Sequence, residues 1–593
     1  MKTLVLLDDP SPTGEAGDRL SFHISASLAL ARAAVPYRES RGLYAPEELW
    51  AGYPERVKET LDLARRADEA LWKTDPRFKA ENLKLFSYLH FLIKINYDQA
   101  YYYAWTLDRA LAGGAYDRLV YFDRPGPAVD QYHLFSEGYP LLGRVAEAAA
   151  LARGLIADGR RGPARPDAAP LSFGQPSLKA RARSLYRRLQ NLAGRATRRG
   201  ELEILSVYCK ELEALVGPLG SEGLRAVRYI EPAKPDRVYE KKQAFLERLA
   251  PTLADLRLKD IPLGKALAPM FESMAGELEN YFQWYKAVEA AGDWRRADAV
   301  CVQSLAPLFP PAVFLHKLCE ENGIPVLCWM HGGYGAYHSL PGFDVTDYRF
   351  TGHHVVYGHA VADSVRSPQS VLRRLPWQPC RALPLGSPYF EERYKNSRRP
   401  SCAKKIVMLS IGGLYKRNQF YFGYNKPEAE FCGYEEHAAV IRLLAKFQEE
   451  YSIVIKDYPG LNMRPEWENL LSELNARRVR VVTTEQTYTT ALNKSDLNIF
   501  TWVSTTFMEA LQTEADVFLL DKSDVTPDAA RALRAGIVFE RDTPAFLGKL
   551  ERYLAAGRFY TQDKKPVKDY FLAPADGRAG RLKDFIRRAA HAS

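Results

Sequence analysis

Cysteine is scarce in this chain and shows no paired spacing. The sequence contains seven cysteines, none of them in a CxxC pair, at positions 209, 301, 319, 328, 380, 402 and 432. An odd number of cysteines without a framework argues against structural disulfides and structural zinc, and it favours a reducing, intracellular compartment. Cys301, Cys319 and Cys328 stand in an apolar segment, so we expect them to be small buried hydrophobic residues.

Long hydrophobic runs are also missing from the sequence. No window approaches the roughly 18 uninterrupted apolar residues of a membrane-spanning helix. The N-terminal segment MKTLVLLDDPSP has an apolar run too short for a signal peptide, and it reaches two aspartates at once. We therefore predict a cytoplasmic protein without a transmembrane span.

Positive charge, by contrast, is in excess and unevenly distributed. The formal net charge is +10 at pH 7, and one segment contributes eight basic residues and no acid: Lys179, Arg181, Arg183, Arg187, Arg188, Arg195, Arg198 and Arg199. Leucines recur through 179–199 at helical spacing. The segment is therefore either a basic helix that contacts an anionic membrane or glycan, or an ordinary solvated helix face. No nucleic-acid-binding module accompanies the charge, so nucleic acid is not predicted as a partner.

Strands alternate with helices over much of the chain. The apolar runs predict strands at 1–9, 118–122, 299–303, 325–330, 354–357, 381–385, 405–411, 451–457, 479–484, 495–501 and 515–521. Strands separated by helical sequence at this spacing form parallel sheets. The predicted fold class is α/β, with two Rossmann-like domains facing a cleft.

Length and composition indicate how these elements are divided into domains. A chain of 593 residues, 47% of them hydrophobic, has room for about two to four globular domains. The predicted organisation is a first domain at 1–390 with a helical insertion at about 137–297, a polar linker at 391–404, a second domain at 405–575, and a C-terminal helix at 576–593. We expect this last helix, which is basic and amphipathic, to pack back onto the first domain.

The most informative segment of the first half ends in a glycine-rich loop. Residues 299–335 predict a strand, a helix and a second strand that opens on His331, Gly332 and Gly333. In open α/β sheets, ligands bind outside the carboxyl ends of the strands. An imidazole there can act as an acid or base, or donate a hydrogen bond to a phosphate, although a lone histidine can also be structural. The histidines at 353, 354 and 359 do not have the spacing of a metal site.

A second candidate site follows the predicted strand at 495–501. Ser504, Thr505 and Thr506 place hydroxyl groups at a helix start, where backbone N–H groups can bind an anion. Glu509, one turn further along, can accept hydrogen bonds from ribose hydroxyls. The alternative interpretation is a plain capping box, in which Ser or Thr precedes Glu by three or four residues.

Other strand ends in the second half carry polar groups. Lys456 ends the strand at 451–457 and can pair with phosphate oxygens, or it can be an exposed lysine. Glu485 follows the next strand, where it can contact a nucleobase or cap a helix. The first strand of this half leads into a turn that lets the backbone approach a phosphate and supplies two cations: Gly412, Gly413, Lys416 and Arg417.

Two aspartates end the first strand of the chain. Asp8 and Asp9 follow the apolar run at 3–7. A carboxylate at that position can deprotonate an acceptor hydroxyl. Asp is equally common in turns that cap helices, so both interpretations stay open.

Three segments together resemble those of nucleotide-sugar glycosyltransferases of GT-B architecture, in particular bacterial capsule and lipopolysaccharide transferases. They are HGGYG at 331–335, IVIKDYP at 453–459, and SDLNIFTWVSTTFMEAL at 495–511. In relatives that use CMP-activated sugars such as Kdo or sialic acids, a His-Pro pair commonly stands where this chain has Tyr458 and Pro459. The resemblance therefore implies a nucleotide-sugar donor of the CMP-sugar or NDP-sugar type, and a glycan or glycolipid acceptor.

The resemblance also implies roles for the candidate residues. Donor phosphate is expected on Lys456 and on 504–506, ribose on Glu509, and the acceptor proton on His331 or an aspartate at 8–9. Backbone amides and cations can stabilise the phosphate charge, so neither a metal nor another cofactor is expected. This reading requires His331 and Ser504 to face each other across one crevice. The alternatives are a polyol-phosphate transferase, a nucleotide-sugar epimerase of the same fold, or a non-catalytic scaffold of glycan assembly.

Overall fold

Three parallel β-sheets organise the chain in the computed structural model of this protein. The structure describes residues 2–7, 16–22, 24–112, 115–123, 141–161, 202–217, 223–304, 309–330, 336–338, 341–395, 397, 405–411, 429–457, 464–482, 492–523 and 525–591.

The first sheet is built from the N-terminal quarter of the chain. Its five strands are β1 (Thr3–Leu7), β2 (Asp18–Ser21), β3 (Arg38–Glu39), β4 (Arg118–Asp123) and β5 (Ile156–Arg161). They pair in parallel in the order β3-β2-β1-β4-β5. The strand order reverses between β1 and β4.

The second sheet carries the predicted His-Gly unit. Its six strands are β6 (Leu202–Val207), β7 (Leu224–Arg228), β10 (Ala299–Gln303), β11 (Val326–Trp329), β12 (His353–Val356) and β13 (Arg381–Pro384). They pair in parallel in the order β7-β6-β10-β11-β12-β13, with the reversal between β6 and β10. A separate antiparallel pair, β8 (Arg257–Leu258) and β9 (Ile261–Pro262), precedes β10 in the chain.

The third sheet contains the second half of the chain. Its six strands are β14 (Ile406–Ser410), β15 (Ser452–Lys456), β16 (Arg480–Val482), β17 (Leu497–Phe500), β18 (Asp516–Leu520) and β19 (Val538–Glu540). The order β16-β15-β14-β17-β18-β19 is that of a Rossmann fold. All residues of β17 and β18 are buried. Parallel strands covered by helices on both faces are apolar throughout, which is why the sequence shows them clearly.

Helices cover the faces of the sheets. In the first half they are α1 (Ile24–Arg32), α2 (Pro46–Ala51), α3 (Tyr53–Thr74), α4 (Pro76–Ala80), α5 (Leu85–Tyr88), α6 (His90–Ala112), α7 (Leu141–Ala152), α8 (Lys210–Val216), α9 (Lys242–Ala254), α10 (Gly264–Gly276), α11 (Leu278–Ala291), α12 (Pro310–Glu321), α13 (Pro341–Val345), α14 (Asp347–Phe350), α15 (His359–Arg366) and α16 (Pro388–Tyr394). In the second half they are α17 (Ala429–Ala445), α18 (Arg464–Glu473), α19 (Thr505–Ala510), α20 (Pro527–Gly536), α21 (Thr543–Ala556), α22 (Lys565–Phe571) and α23 (Arg578–Ala590). Short 3₁₀ turns lie at 40–43, 293–296 and 371–374.

Helix α6 joins the first two sheets. Leu92 and Ile93, near its start, lie in the core cluster of the second sheet. Tyr103 and Leu107, about three to four turns later, lie in the core cluster of the first. The helix is buried on nearly all sides although several of its buried side chains are polar; Lys94, for example, pairs with Asp98, which also pairs with Arg56 of α3.

The second and third sheets share one core. Phe500 and Leu519 of the third sheet belong to the same cluster of buried residues as Leu327 and Val355 of the second. The chain segments that leave β11, β17 and β18 are hydrogen-bonded to one another, so the carboxyl edges of these two sheets face each other. The predicted α/β fold with two facing Rossmann-like domains is confirmed.

The strands predicted from the sequence are all present. The stretch at 137–297, predicted as a mostly helical insertion, contains helices α7 to α11 and also the strands β5 to β9, of which β6 and β7 complete the second sheet beside β10. β5 has the sequence IADGRR and β7 has LRAVR, so neither is an apolar run that local sequence would mark as a strand. Their pairing with distant strands, rather than their local pattern, makes them strands.

The C-terminal helices return from the third sheet to the second. The Ala573 amide donates to the Tyr357 carbonyl at 2.7 Å. Both terminal nitrogens of Arg578, at the start of α23, bond the Glu391 carboxylate at 2.6 Å. A Cβ on Gly358 would lie 2.4 Å from the backbone of Phe571, so this crossing requires glycine there. The expectation that the C-terminal helix packs onto the first half is confirmed.

Two further expectations concern burial and membrane crossing. The thiols of Cys301, Cys319 and Cys328 are buried, as predicted. In the part of the chain that the structure describes, no helix combines the length and the apolar character needed to cross a bilayer. The basic segment at 179–199 lies outside the described residues, so its membrane contact stays a prediction.

Candidate functional site

The strand order of the third sheet reverses between β14 and β17. At their carboxyl ends Ser410 pairs in register with Phe500 on one side and with Lys456 on the other. In doubly wound sheets the crevice for a ligand opens outside the strand ends at this reversal. The predicted donor residues therefore follow strands that end side by side at the edge where a ligand is expected.

Ser504 begins helix α19 as its N-cap. Its hydroxyl accepts a hydrogen bond from the Phe507 amide at 3.2 Å and is 2.8 Å from the Thr506 hydroxyl. The interpretation of Ser504 as a helix cap is therefore confirmed. Thr505 and Thr506 remain partly exposed in the first turn. A donor role for the three hydroxyls stays a prediction.

Glu509 lies on the same helix and is buried. Its carboxylate forms an ion pair with Arg393 of α16 at 3.3 Å. Since α16 follows the second sheet, this ion pair links the two halves of the protein. The predicted contact between Glu509 and a ribose remains untested.

Lys456 is buried at the end of β15, with 6% of its surface exposed. Its carbonyl accepts a hydrogen bond from the Ile411 amide at 2.8 Å, which holds the end of β15 against the end of β14. The alternative of an exposed surface lysine does not apply. An ammonium group buried at a strand end is stable only where anionic or polar groups surround it.

Ser410 has a buried hydroxyl at the end of β14, with no hydrogen-bond partner among the described residues. A buried hydroxyl without a partner is costly, so an unsatisfied one at a ligand-binding edge points to a group that binds there. Its position two residues before Gly412 and Gly413 is a sequence signal that could have identified it.

Helix α17 supplies polar side chains to the same edge. His437 Nε2 is 2.7 Å from the hydroxyl of Thr501, which follows β17. Glu436 pairs with Lys522, which follows β18, at 3.5 Å. Neither Glu436 nor His437 was predicted from the sequence, because both lie in a segment with an ordinary helical pattern and their partners are more than 60 residues away.

Tyr337 joins the two halves at this edge. Its hydroxyl donates to Asp521 Oδ2 at 2.5 Å and accepts from the Val503 amide at 2.8 Å. The carbonyl of Ala336 accepts from the Thr526 amide at 2.7 Å. Burial, with Asp521 beside it, raises the pKa of Tyr337 well above its usual value, so the phenol stays protonated. Tyr337, which follows the His-Gly loop in the chain, is thus hydrogen-bonded to Val503, the residue directly before Ser504.

The His-Gly loop itself, residues 331–335, lies outside the described residues. Its two ends are placed, since the Met330 amide donates to the Val355 carbonyl at 2.8 Å in the second sheet. Ala336 lies against the third sheet. The residues that flank the loop therefore lie at the carboxyl edges of the two sheets, and the predicted approach of His331 to Ser504 remains a prediction.

Other predicted site residues also fall outside the described residues: Asp8, Asp9, Gly332, Gly333, Gly412, Gly413, Lys416, Arg417 and Glu485. The strands that precede them are described, and they end at the carboxyl edges as expected. Asp8 and Asp9 follow β1, a strand of the first sheet and not of the sheet that precedes the His-Gly loop.

Glu211 is a buried acid at the strand reversal of the second sheet, which the sequence did not single out. Its carboxylate accepts hydrogen bonds from the hydroxyls of Ser387 at 2.7 Å and Tyr357 at 2.9 Å, and from the Tyr389 amide at 3.0 Å. Burial raises the pKa of Glu211 to about 7. Because Tyr389 belongs to α16, this carboxylate holds the start of the connection between the two halves.

Within the described ranges, no group of three or more His, Cys, Asp and Glu side chains is arranged to hold a metal ion. His354 Nε2 instead lies 2.7 Å from the Thr351 carbonyl.

The chain matches no known protein family and no curated protein. Similar solved structures include a glycosyltransferase from Rickettsia africae ESF-5, with 11% identity and a TM-score of 0.38 over 67% of this chain and 100% of that one. They also include UDP-GlcNAc 2-epimerase from Neisseria meningitidis bound to UDP-GlcNAc, with 13% identity and a TM-score of 0.37 over 65% and 99% of the two chains. MnaA from S. aureus, in a co-structure with UDP, has 10% identity and a TM-score of 0.36 over 66% and 97%. Similarities this distant say nothing about the activity of this chain.

Proposed function

We propose that this protein is a glycosyltransferase that moves a sugar from a nucleotide-activated donor onto a surface glycan or glycolipid in the cytoplasm. The observation that carries the proposal is the junction at Tyr337. It links the exit of the His-Gly loop to the strand end that precedes Ser504. In this proposal the two Rossmann-like domains form a shared crevice between their carboxyl edges. The strand ends at Lys456 and Phe500 lie at that edge, and residues 331–335 lie outside the described residues.

In this proposal the third sheet binds the donor. The unsatisfied Ser410 hydroxyl and the buried Lys456 ammonium lie at neighbouring strand ends, where a phosphate can accept from both. Thr505 and Thr506 and the segment at 412–417 contribute further donors. The donor is of the CMP-Kdo or CMP-sialic-acid type or an NDP-sugar.

The reaction breaks the bond between the anomeric carbon and a phosphate oxygen, and forms a bond from that carbon to an acceptor oxygen. The acceptor proton passes to His331 or to an aspartate at 8–9, and the nucleotide leaves as the anion. Cationic side chains and backbone amides stabilise the developing phosphate charge, so the step requires no metal. The acceptor binds to residues 1–390, and the basic segment at 179–199 brings the protein to the inner membrane face.

The experiment combines nucleotide binding with product analysis. Thermal shifts with CMP, CDP, UDP and GDP identify the nucleotide. Binding at 100 times the dissociation constant adds about 2.7 kcal/mol of stability. The purified protein is then given the matching nucleotide sugars.

The products distinguish the candidate functions. Release of the nucleotide, accelerated by a glycan acceptor, supports glycosyl transfer. A sugar isomer that stays attached to its nucleotide would identify an epimerase, and a phosphodiester product would identify a polyol-phosphate transferase. Binding without release would identify a scaffold. Absence of binding to any nucleotide would contradict the proposal altogether.

A further inference from the structure

A cavity lies at the opposite edge of the second sheet from the proposed donor crevice. It has a volume of about 370 Å³, within the usual range for small-molecule pockets. Val326 and His353, the first residues of β11 and β12, line it, together with residues of α12 and α14. Because it opens at the amino ends of these strands, the cavity is separate from the carboxyl edge that carries Tyr337.

Arg349 supplies a cation to this cavity. Among the described residues its guanidinium has no hydrogen-bonded or ion-paired acceptor, and it rests over the Trp377 ring at 5.7 Å from the centroid. Burial lowers the pKa of Arg349 to about 10, so the group is still charged at neutral pH. A partly buried guanidinium with five N–H donors is normally paired, because its desolvation is otherwise uncompensated.

His353 lies between this cavity and a neighbouring one, and its ring packs edge-on against Phe585 of α23, with the ring centroids 5.8 Å apart. The Nε2 atom of His353 is buried and has no hydrogen-bond partner in the described part of the chain. Burial, with Arg381 nearby, lowers the pKa of His353, so the ring is neutral at pH 7 and donates from Nε2 in the corresponding tautomer. Thr351 does not compete for a ligand, because its hydroxyl already donates to the Val326 carbonyl at 2.6 Å.

The remaining lining limits the charge and shape of a ligand. Glu320 stands at the rim, and Asp68 interacts electrostatically with Arg349 from behind the wall. Burial raises the pKa of Asp68 to about 7, so this acid offsets the charge of Arg349 only in part. Together with Glu320 it disfavours a dianion such as a phosphomonoester but leaves room for a single negative charge. The rest of the lining is mixed: His316, Thr346 and Gln378 are polar, and the apolar part is formed by the side chains of Phe91, Val313, Ile324, Val345 and Phe350 with the ring of Tyr88.

We infer that this cavity binds a monocarboxylate with an aromatic or aliphatic body. The planar guanidinium of Arg349 matches a carboxylate in a two-point contact. The apolar part of the lining receives the hydrocarbon part. This site is independent of the proposed glycosyl transfer.

The test uses the full-length protein and 3-phenylpropanoate as the probe, with binding measured by calorimetry and by thermal shift. The neutral amide of the same compound is the matched ligand control. The carboxylate should bind at least about tenfold more tightly than the amide, because charge-assisted hydrogen bonds to the guanidinium are lost in the amide. Equal affinity of the two compounds, or preferential binding of inorganic phosphate, would overturn the inference.

Variants then locate the site. Arg349→Gln should weaken binding of the carboxylate at least about tenfold. Arg374→Gln, an exposed arginine of the turn at 371–374 outside the cavity lining, should leave it unchanged. Ile324→Trp, which fills the apolar part with Arg349 intact, should also abolish binding. Saturating nucleotide should not compete. Unchanged affinity for 3-phenylpropanoate in Arg349→Gln or Ile324→Trp, or competition by nucleotide, would refute the assignment of this site.

Discussion

Tyr337 offers the sharpest test of the junction between the two halves. Its side chain is almost fully buried, and its hydroxyl is bonded both to Asp521 and to the Val503 amide. Substitution by phenylalanine keeps the ring and removes only the hydroxyl. The variant Tyr337→Phe therefore isolates these two hydrogen bonds from the packing around them.

The magnitude follows from the two bonds. The bond to the Asp521 carboxylate is charge-assisted and worth about 1.5–3 kcal/mol, and the one from Val503 about 0.5–1.5 kcal/mol. Asp521 still accepts a hydrogen bond from the Ser523 amide at 2.9 Å, so the variant removes only part of the hydrogen bonding of this carboxylate. We expect a local destabilisation of about 2 kcal/mol, which corresponds to about 30-fold faster opening.

Hydrogen exchange at the Val503 amide measures this effect directly. A global unfolding free energy is not suitable, because a chain of several domains does not unfold in two states. Tyr208→Phe is the matched control, since Tyr208 is 46% exposed and its hydroxyl contacts Glu231 at the surface. Exchange at Val503 that is unchanged in Tyr337→Phe, or changed equally by both variants, would refute the reasoning.

Two further predictions concern buried ionisable groups. Lys456→Gln should weaken nucleotide binding by about 10- to 100-fold through the loss of a charge-assisted contact to phosphate. Lys446→Gln, a change at an exposed lysine, should leave nucleotide binding unchanged. Equal affinities of the two variants in calorimetry would show that Lys456 does not belong to the donor site. For Glu211, the folded-state pKa of about 7 lies above the ordinary value of 4.5, so the folded protein binds the proton more tightly. Its contribution should therefore favour folding below about pH 5 and be lost as pH rises through 7, by about 3 kcal/mol. In Glu211→Gln the melting temperature should fall less between pH 5 and 8 than in the unmodified protein; identical pH slopes would show that Glu211 does not titrate in this range.

Features that depend on a few neighbouring residues could be predicted from the sequence, whereas features that depend on contacts between distant residues could not. β14, β17 and β18 were visible as apolar runs, because strands covered on both faces must be apolar whatever their partners are. Ser504 was recognised as a helix start for an equally local reason, since its hydroxyl caps the amide three residues ahead. Lys456 was placed at a strand end but not assigned to the interior, since local sequence does not report burial of a lysine.

The sequence by itself determined the alternation of buried strands and helices and the polar groups at the strand ends, because these follow from periodicity and burial over a few residues. Only the tertiary structure decided that β6 and β7 join the sheet of β10, that His437 meets Thr501, and that Tyr337 bonds the chain before Ser504. Those contacts join residues from about 60 to nearly 170 positions apart. No local pattern encodes such partners, because they depend on how complete elements pack against each other.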